Sequence, residues 1–139
     1  ACNWGGHGCL EQVASATGIA RTARRMLAAD SRPSSLRSLK NISAKNVLDA
    51  AKVGDELALD SLNKSCYYLG WVLATLSMVL DPQAYIIGGG VSKAGTFLTD
   101  MIKKYHDELS PMATKKADIV LAKLGNDAGI YGAAKLILG

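Results

Sequence analysis

A single long amphipathic segment constrains this chain more than any other feature. Between Asp55 and Leu80 the apolar residues are spaced alternately by four and three, which predicts one helix with one continuous apolar stripe. At 1.5 Å per residue this helix would be about 39 Å long, enough to cross a domain. Asp81 and Pro82 should end it, because proline disfavours a helical conformation in the residue before it. The stripe consists of Leu62, Cys66, Leu69, Leu73, Leu76 and Leu80.

Composition indicates one globular domain. Of the 139 residues, 49% are hydrophobic and 20% are charged, which is enough for a real core. The sequence has no apolar run of transmembrane length and no signal-peptide pattern at its start, so we expect a cytoplasmic protein without membrane contact.

The chain has three cysteines, an odd number that is typical of a reducing compartment. The chain opens on a dense motif without an initiator methionine, and we expect it to be a fragment.

The net charge of +4 does not indicate a nucleic-acid site by itself. Arg21, Arg24 and Arg25 fall on one predicted helix, whereas the lysine pairs beginning at Lys103 and Lys115 lie elsewhere. This distribution favours solvated helix faces over one continuous basic surface.

The remaining pattern alternates helices with short strands, which predicts an α/β fold with a small parallel sheet. Two strands joined through a helix should form a right-handed parallel crossover. Ser43 is the expected N-cap of the second helix, and Asn126 or Asp127 that of the last. The predicted elements are helices over Leu10–Ala29, Ala44–Lys52 and Asp55–Leu80, strands over Ala84–Ile87 and Asp118–Ala122, a helix carrying Leu98 to Leu109, and a last helix ending at Leu138.

The first motif, residues 2–11, combines thiols, an imidazole and glycines in the order Cys-Asn-Trp-Gly-Gly-His-Gly-Cys-Leu-Glu. Thiolates and imidazole suit zinc, but Cys2, Cys9 and His7 do not complete a tetrahedral site, so a glycine-rich turn without metal is the alternative. Glu11 could accept hydrogen bonds from neighbouring hydroxyls of a sugar. Its alternative role is a favourable interaction with the dipole of a helix that begins there.

The second motif is the glycine run Gly88, Gly89 and Gly90, placed between a predicted strand and a helix. Such a turn allows a ligand to approach backbone N–H groups, and the following helix N-terminus favours anions. The run fits neither the P-loop nor the dinucleotide pattern. A nucleotide contact and a tight structural turn therefore both remain open on the residues alone.

The third motif spans residues 124–134 and contains the Asn-Asp pair with a small-residue face behind it. We interpret the pair as a helix cap rather than as catalytic acids. The face should pack closely against a neighbour; it consists of Ala128, Gly129, Gly132 and Ala133.

Together the three motifs resemble the ROK family of bacterial sugar kinases and repressors, in family order and over essentially the whole chain. The family signature Cys-x-Cys-Gly-x-x-Gly-Cys-x-Glu is matched at its first cysteine, its glycines, its last cysteine and its glutamate; Trp4 stands where the family has the middle cysteine. The resemblance implies Cys2 and Cys9 as zinc ligands, with Trp4 in the place of a third. It also implies that Glu11 contacts the sugar.

The same resemblance implies the C-terminal part of an actin-like ATPase domain of the ribonuclease H-like type over residues 1–139. It implies that Gly88, Gly89 and Gly90 line the nucleotide cleft, and that the full-length protein phosphorylates a hexose, with glucose expected, using ATP and magnesium. No catalytic residue is expected in this chain, so the chain alone should be inactive. A homo-oligomer is expected.

Two alternatives stay open. ROK transcriptional repressors share these motifs and use the sugar pocket as a sensor, in which case nucleic acid would be a partner. A kinase of N-acylated amino sugars would also fit the motifs.

Overall fold

The computed structural model describes residues 2, 4–89, 95–110, 116–123 and 128–138. In chain order they form α1 (Glu11–Ala14), α2 (Ala16–Ala29), a 3-10 turn (Ser35–Ser38), α3 (Ala44–Lys52), α4 (Glu56–Leu80), β1 (Ala84–Ile87), α5 (Thr96–Leu109), β2 (Asp118–Leu121) and α6 (Ala128–Leu138). The described part of the chain is therefore helix-rich, as expected.

Strands β1 and β2 pair in parallel, which confirms the predicted small parallel sheet. Ala84 lies opposite Asp118 and Ile87 lies opposite Leu121. Because α5 follows β1 and precedes β2, it forms the connection that two neighbouring parallel strands require. The carboxyl end of β1 leads directly into the glycine run.

Helix α4 has the predicted bounds because a specific local interaction fixes each of its ends. At the start, Asp55 Oδ1 accepts a hydrogen bond of 3.1 Å from the Ala58 N–H, which makes Asp55 the N-cap. At the end, Asp81 adopts a left-handed conformation with φ of 42° and donates its N–H to the Ser77 carbonyl at 2.9 Å. Pro82 follows at once and cannot continue the helix.

The apolar stripe of α4 is only partly buried. Leu62, Cys66 and Leu73 are buried in a core shared with α2, α3 and α5. By contrast, Leu76 and Leu80 are 39% and 67% exposed, so the stripe extends beyond what the described elements cover. At this end of α4, β1 and α5 contact Ser77 and leave these two leucines uncovered.

The first predicted helix is broken at Ser15, so the prediction of one helix over Leu10–Ala29 is wrong. Ser15 is extended, with ψ of 170°, and its hydroxyl serves both neighbours: it donates to the Glu11 carbonyl at 2.7 Å and accepts the Gly18 N–H at 3.0 Å. A Cβ at Gly18 would lie 2.8 Å from the Val13 backbone. The short helix α1 can therefore fold back on α2 only because residue 18 has no side chain.

Helix α3 begins as predicted. Ser43 Oγ accepts from the Asn46 N–H at 3.2 Å, and Asn46 Oδ1 accepts from the Ser43 N–H at 3.0 Å, which forms a reciprocal capping box. The polar connection before α3 contains one apolar anchor, because Leu36 in the 3-10 turn is buried.

Helix α6 does not pack as the third motif predicts. Its residues 129–136 are all exposed, and a Cβ at Gly129 or Gly132 would meet nothing within 4 Å. The prediction that this face packs closely is therefore wrong for the described residues, because none of them covers α6. Asn126 and Asp127, the predicted caps, lie outside the described residues. Among the helices of the described ranges, none combines the length and apolarity needed to cross a bilayer.

Candidate functional site

A cavity of about 480 Å³ brings the first two motifs together. Glu11 of α1 lines one side, and Gly88 and Gly89, which follow β1, line another. These residues are far apart in the sequence, and the fold joins them across α4 and α5. A cavity of this size lies within the usual range for small-molecule sites. The structure therefore places the predicted sugar contact and part of the predicted nucleotide contact in one site.

Most of the side chains that line the cavity are apolar. Burial raises the pKa of the Cys66 thiol to about 12, so this cysteine is a neutral core residue, as the sequence predicts. A mostly apolar lining with a few polar groups is the usual construction of a ligand pocket, because the few polar groups then set the orientation of the ligand. The apolar side chains are those of Ile19, Cys66, Leu69, Ile86, Leu98 and Ile102.

The Glu11 side of the cavity carries more polar groups than the sequence analysis identified. Glu11 Oε2 accepts a hydrogen bond of 2.6 Å from Gln12 Nε2, which restricts the carboxylate while leaving lone pairs for a ligand. Ser15 and Thr17 line the cavity beside it. The hydroxyl of Ser15 is already used by the helix break, whereas Thr17 is exposed. The spacing of Ser15 and Gly18 is a cap signal that could have predicted this break.

The glycine side is a tight turn. Gly89 has a φ of +82°, a conformation that favours glycine strongly. Gly88 lies close to the neighbouring strand, since a Cβ there would be 3.7 Å from the Ala122 Cβ. The carboxyl edge of parallel strands is where α/β folds place their ligands. Gly90, the third predicted contact, lies outside the described residues.

The glycine-rich turn before α1 brings the two signature cysteines together. The Cys9 thiol lies 2.8 Å from the Cys2 sulfur, and a Cβ at Gly6 would be 3.5 Å from one sulfur and 3.7 Å from the other. The turn is closed by a hydrogen bond of 2.8 Å from the Cys2 N–H to the Gly6 carbonyl. The hydrogen bond from Cys9 lowers the pKa of Cys2, and the same contact raises the pKa of Cys9.

This thiol pair could supply at most two of the four ligands of a tetrahedral zinc site. Trp4, in the position of the family's middle cysteine, is 89% exposed, and His7 is exposed as well. Among the described residues, no cluster of three or more histidine, cysteine or acidic side chains could hold a metal ion. The described residues alone therefore do not complete a zinc site, and the two sulfurs at 2.8 Å are closer together than the roughly 3.8 Å that tetrahedral coordination with Zn–S bonds of about 2.3 Å requires.

Comparison with known proteins decides the family. The sequence model described as "ROK family" matches residues 1–139, the whole chain. The chain belongs to the ROK family. The α/β fold class predicted from the sequence is confirmed, because its structural neighbours are ROK sugar kinases of the actin-like ATPase fold.

Among curated relatives, the chain is 40% identical over 140 residues to a glucokinase of Halalkalibacterium halodurans, covering 98% of this chain and 42% of the relative. It is 31% identical to an N-acetylmannosamine kinase of Escherichia coli O7:K1, covering 99% of this chain and 42% of that enzyme. The chain thus spans less than half the length of these relatives.

Among solved structures, a ROK glucokinase from Streptomyces griseus in complex with glucose and AMPPNP matches with a TM-score of 0.84 and 34% identity, over 95% of this chain and 45% of that one. A ROK family transcriptional regulator, a homologue of the Escherichia coli MLC protein, matches with a TM-score of 0.70 and 32% identity, over 86% of this chain and 30% of that one.

Proposed function

We propose that the protein containing this chain is a sugar kinase that transfers the γ-phosphoryl group of ATP to a hexose, with glucose as the preferred substrate. The observation that carries the proposal is the shared cavity, in which Glu11 lies on one side and the Gly88–Gly89 turn on another. A kinase must bring a sugar and a nucleotide into contact, and this cavity has one group suited to each.

Glu11 would bind the sugar. Its carboxylate accepts hydrogen bonds from two neighbouring hydroxyls, a mode of recognition that needs no charge on the ligand. Two hydrogen bonds restrict the orientation of this carboxylate before the sugar arrives. One is donated by Gln12 to the carboxylate at 2.6 Å, and the other is donated by Ser15 Oγ to the Glu11 carbonyl. Preorganisation of this kind lowers the entropy cost of binding.

The glycine turn would bind the nucleotide through its backbone. With no side chains at residues 88 and 89, a phosphate or ribose can approach the main chain closely. Magnesium bound with ATP would spread the negative charge that develops during phosphoryl transfer. The residues of this chain bind and orient the two substrates; the general base is expected in the part of the protein beyond this chain.

Two relatives define the competing functions. The N-acetylmannosamine kinase supports an amino-sugar substrate in place of glucose, and the transcriptional regulator supports a sugar sensor in place of an enzyme. Under the sensor hypothesis the glycine turn needs to bind no nucleotide, so nucleotide binding separates a sensor from both kinases.

The test is a coupled assay of the full-length protein with ATP and magnesium, offering glucose and N-acetylmannosamine in parallel. We expect phosphorylation of glucose with the higher kcat/KM. Glu11→Gln should raise the KM for the sugar by about tenfold or more, because a hydrogen bond to a charged acceptor is lost. Glu108→Gln, at an exposed position of α5, is the matched control and should leave the KM unchanged.

Two results would contradict the proposal. Preferential phosphorylation of N-acetylmannosamine would replace glucose with the amino sugar. Absence of phosphorylation for every sugar, together with sugar-dependent binding to DNA, would establish the sensor instead.

A further inference from the structure

A chain of hydrogen bonds joins α4, α5 and β1, the strand that precedes the glycine turn. His106 of α5 is fully buried, and its Nε2 lies 2.8 Å from Ser77 Oγ of α4. Ser77 Oγ lies 3.0 Å from the hydroxyl of Tyr85 in β1, which donates to the Leu73 carbonyl at 2.9 Å. On the other side of the ring, His106 Nδ1 lies 2.8 Å from Asp107 Oδ1.

The number of protons in this network determines the state of the ring. Each of the four hydrogen bonds needs one proton. Ser77 and Tyr85 supply one each, while the Leu73 carbonyl and an ionised Asp107 supply none. A neutral imidazole adds only one proton, which would leave two lone pairs facing each other in a buried contact. An imidazolium adds two protons and completes every hydrogen bond.

Asp107 has the charge that this count requires. Burial alone would raise the pKa of Asp107, but hydrogen bonds from Lys103 and His106 outweigh burial and lower it. Lys103 Nζ lies 2.9 Å from the second carboxylate oxygen. The nearby Lys116 donates to the Ser110 carbonyl and not to this network. An ionised carboxylate therefore faces Nδ1, which favours a positive charge on the ring.

We propose that His106 is an imidazolium with both ring nitrogens protonated, and that it is a positioning residue for the glycine turn. With the second proton present, the donors from Nε2 onwards point from His106 through Ser77 and Tyr85 towards Leu73, while Nδ1–H donates to Asp107. Tyr85 is thereby held on α4, and Gly88 follows Tyr85 by three positions along the same strand and turn. The role in nucleotide binding rests on the proposed kinase function; the protonation state does not.

The direct test is 15N NMR of the histidine ring nitrogens in the full-length protein. This chain has two histidines, and the exposed His7 lies outside the network. At pH 7.5 we expect both ring nitrogens of His106 to carry protons, as the count of hydrogen bonds requires. A neutral ring in the unmodified protein would overturn the proposal.

Tyr85→Phe tests the proton count. The change removes one proton and the two hydrogen bonds of the Tyr85 hydroxyl, so a neutral His106 can satisfy the two that remain. We expect the ring to lose its second proton in this variant. Tyr67→Phe is the matched control, since it changes an exposed tyrosine of α4 whose hydroxyl makes no hydrogen bond to the described residues. Ser77→Ala removes a proton and two hydrogen bonds at another point and should give the same neutral ring.

The positioning role of His106 is tested by a separate measurement. In Tyr85→Phe we expect the backbone amide signals of Gly88 and Gly89 to shift, and the KM for ATP to rise about fivefold with kcat nearly unchanged. A merely structural network would lower stability without moving KM apart from kcat. Unmoved glycine signals would refute positioning even in an active kinase. If the unmodified protein transfers no phosphate, the proposed function fails, and the NMR measurements still decide this proposal.

Discussion

Gly70 of α4 lies directly against Tyr105 of α5: a Cβ at Gly70 would be 2.6 Å from the Tyr105 Cβ and 3.0 Å from the His106 backbone nitrogen. Non-bonded carbons do not approach so closely, so the helices can cross here only without a side chain. We expect Gly70→Ala to lower the free energy of unfolding by about 1–3 kcal/mol, although alanine is the better helix former. Urea denaturation measures the change.

Gly132→Ala in α6 is the matched control for this prediction. A Cβ at residue 132 would meet nothing within 4 Å, so only helix propensity acts there. We expect this variant to be neutral or more stable by up to about 1 kcal/mol. Equal effects of the two substitutions would show that the helix crossing does not depend on Gly70.

Asp55 should make stability depend on pH. Its Oδ2 accepts hydrogen bonds from Ser34 Oγ at 2.9 Å and from the Ser35 N–H at 2.7 Å, in addition to its role as the cap of α4. Burial alone would raise the pKa of Asp55, but these hydrogen bonds outweigh it and lower the pKa. The stabilisation is therefore complete above the unfolded pKa of about 4 and is lost as the pH falls through the lower folded pKa.

We expect Asp55→Ala to cost about 1–2 kcal/mol at neutral pH, and this cost to shrink in acid below pH of about 4. Chemical denaturation at several pH values tests both statements. Asp49→Ala is the control, because Asp49 forms an exposed pair with Lys45, which should contribute little. A cost for Asp55→Ala that is independent of pH would exclude the ionised carboxylate as its cause.

The three cysteines should differ in reactivity. The pKa of Cys66 is raised to about 12 and its side chain is buried, so it should not react with a thiol reagent in the folded protein. Cys2 has a lowered pKa and Cys9 is partly exposed, so this pair should react first. Mass spectrometry after brief alkylation locates the label. Early labelling of Cys66 without unfolding would contradict the packing described above.

Zinc content is predicted to be low. Trp4 replaces the family's middle cysteine and points an exposed side chain to solvent, so the thiol pair lacks a partner that the resemblance implies. Trp4→Cys should increase the zinc bound by the full-length protein, whereas Trp71→Cys, at another exposed tryptophan, should not. Elemental analysis measures the zinc content of each variant. One tightly held zinc in the unmodified protein would contradict the prediction.

The isolated 139-residue chain should self-associate. Val79 and Leu80 at the end of α4 are exposed, as is Ile86 on β1, and among the described strands β1 pairs only with β2. Exposed apolar groups beside a short sheet favour association. Light scattering should detect oligomers, and Ile86→Lys should reduce them more than Val53→Lys, an exposed position at the end of α3. A cooperatively folding monomer would refute this prediction.

Local signals account for what the sequence predicted well. Helix α4 has a cap at Asp55, an apolar repeat and a proline stop, and each depends on residues close in sequence. The break at Ser15 escaped prediction, although serine is a common N-cap residue, because the apolar periodicity does not encode the close approach of Gly18 to Val13. The exposure of Leu80 likewise depends on what covers α4, and no local pattern contains that information.

The candidate site shows the same division. The resemblance of the first two motifs to the family predicted Glu11 as a sugar contact and Gly88 as a nucleotide contact. That both residues line one cavity follows from the tertiary packing of α4 and α5. The hydrogen bonds around His106 were missed altogether, because Ser77 and Tyr85 look like ordinary members of a helix and a strand. Only the fold brings a buried imidazole between them.

Because the walls of the cavity come from distant parts of the chain, no half-folded species contains the site. A ligand that binds there must therefore act on the whole domain and raise its resistance to unfolding by mass action. Protection should reach segments that never touch the ligand, such as the 3-10 turn that contains the buried Leu36, where a protease can cut only after the domain opens. The supply of such a ligand would then influence how long each molecule survives in the cell.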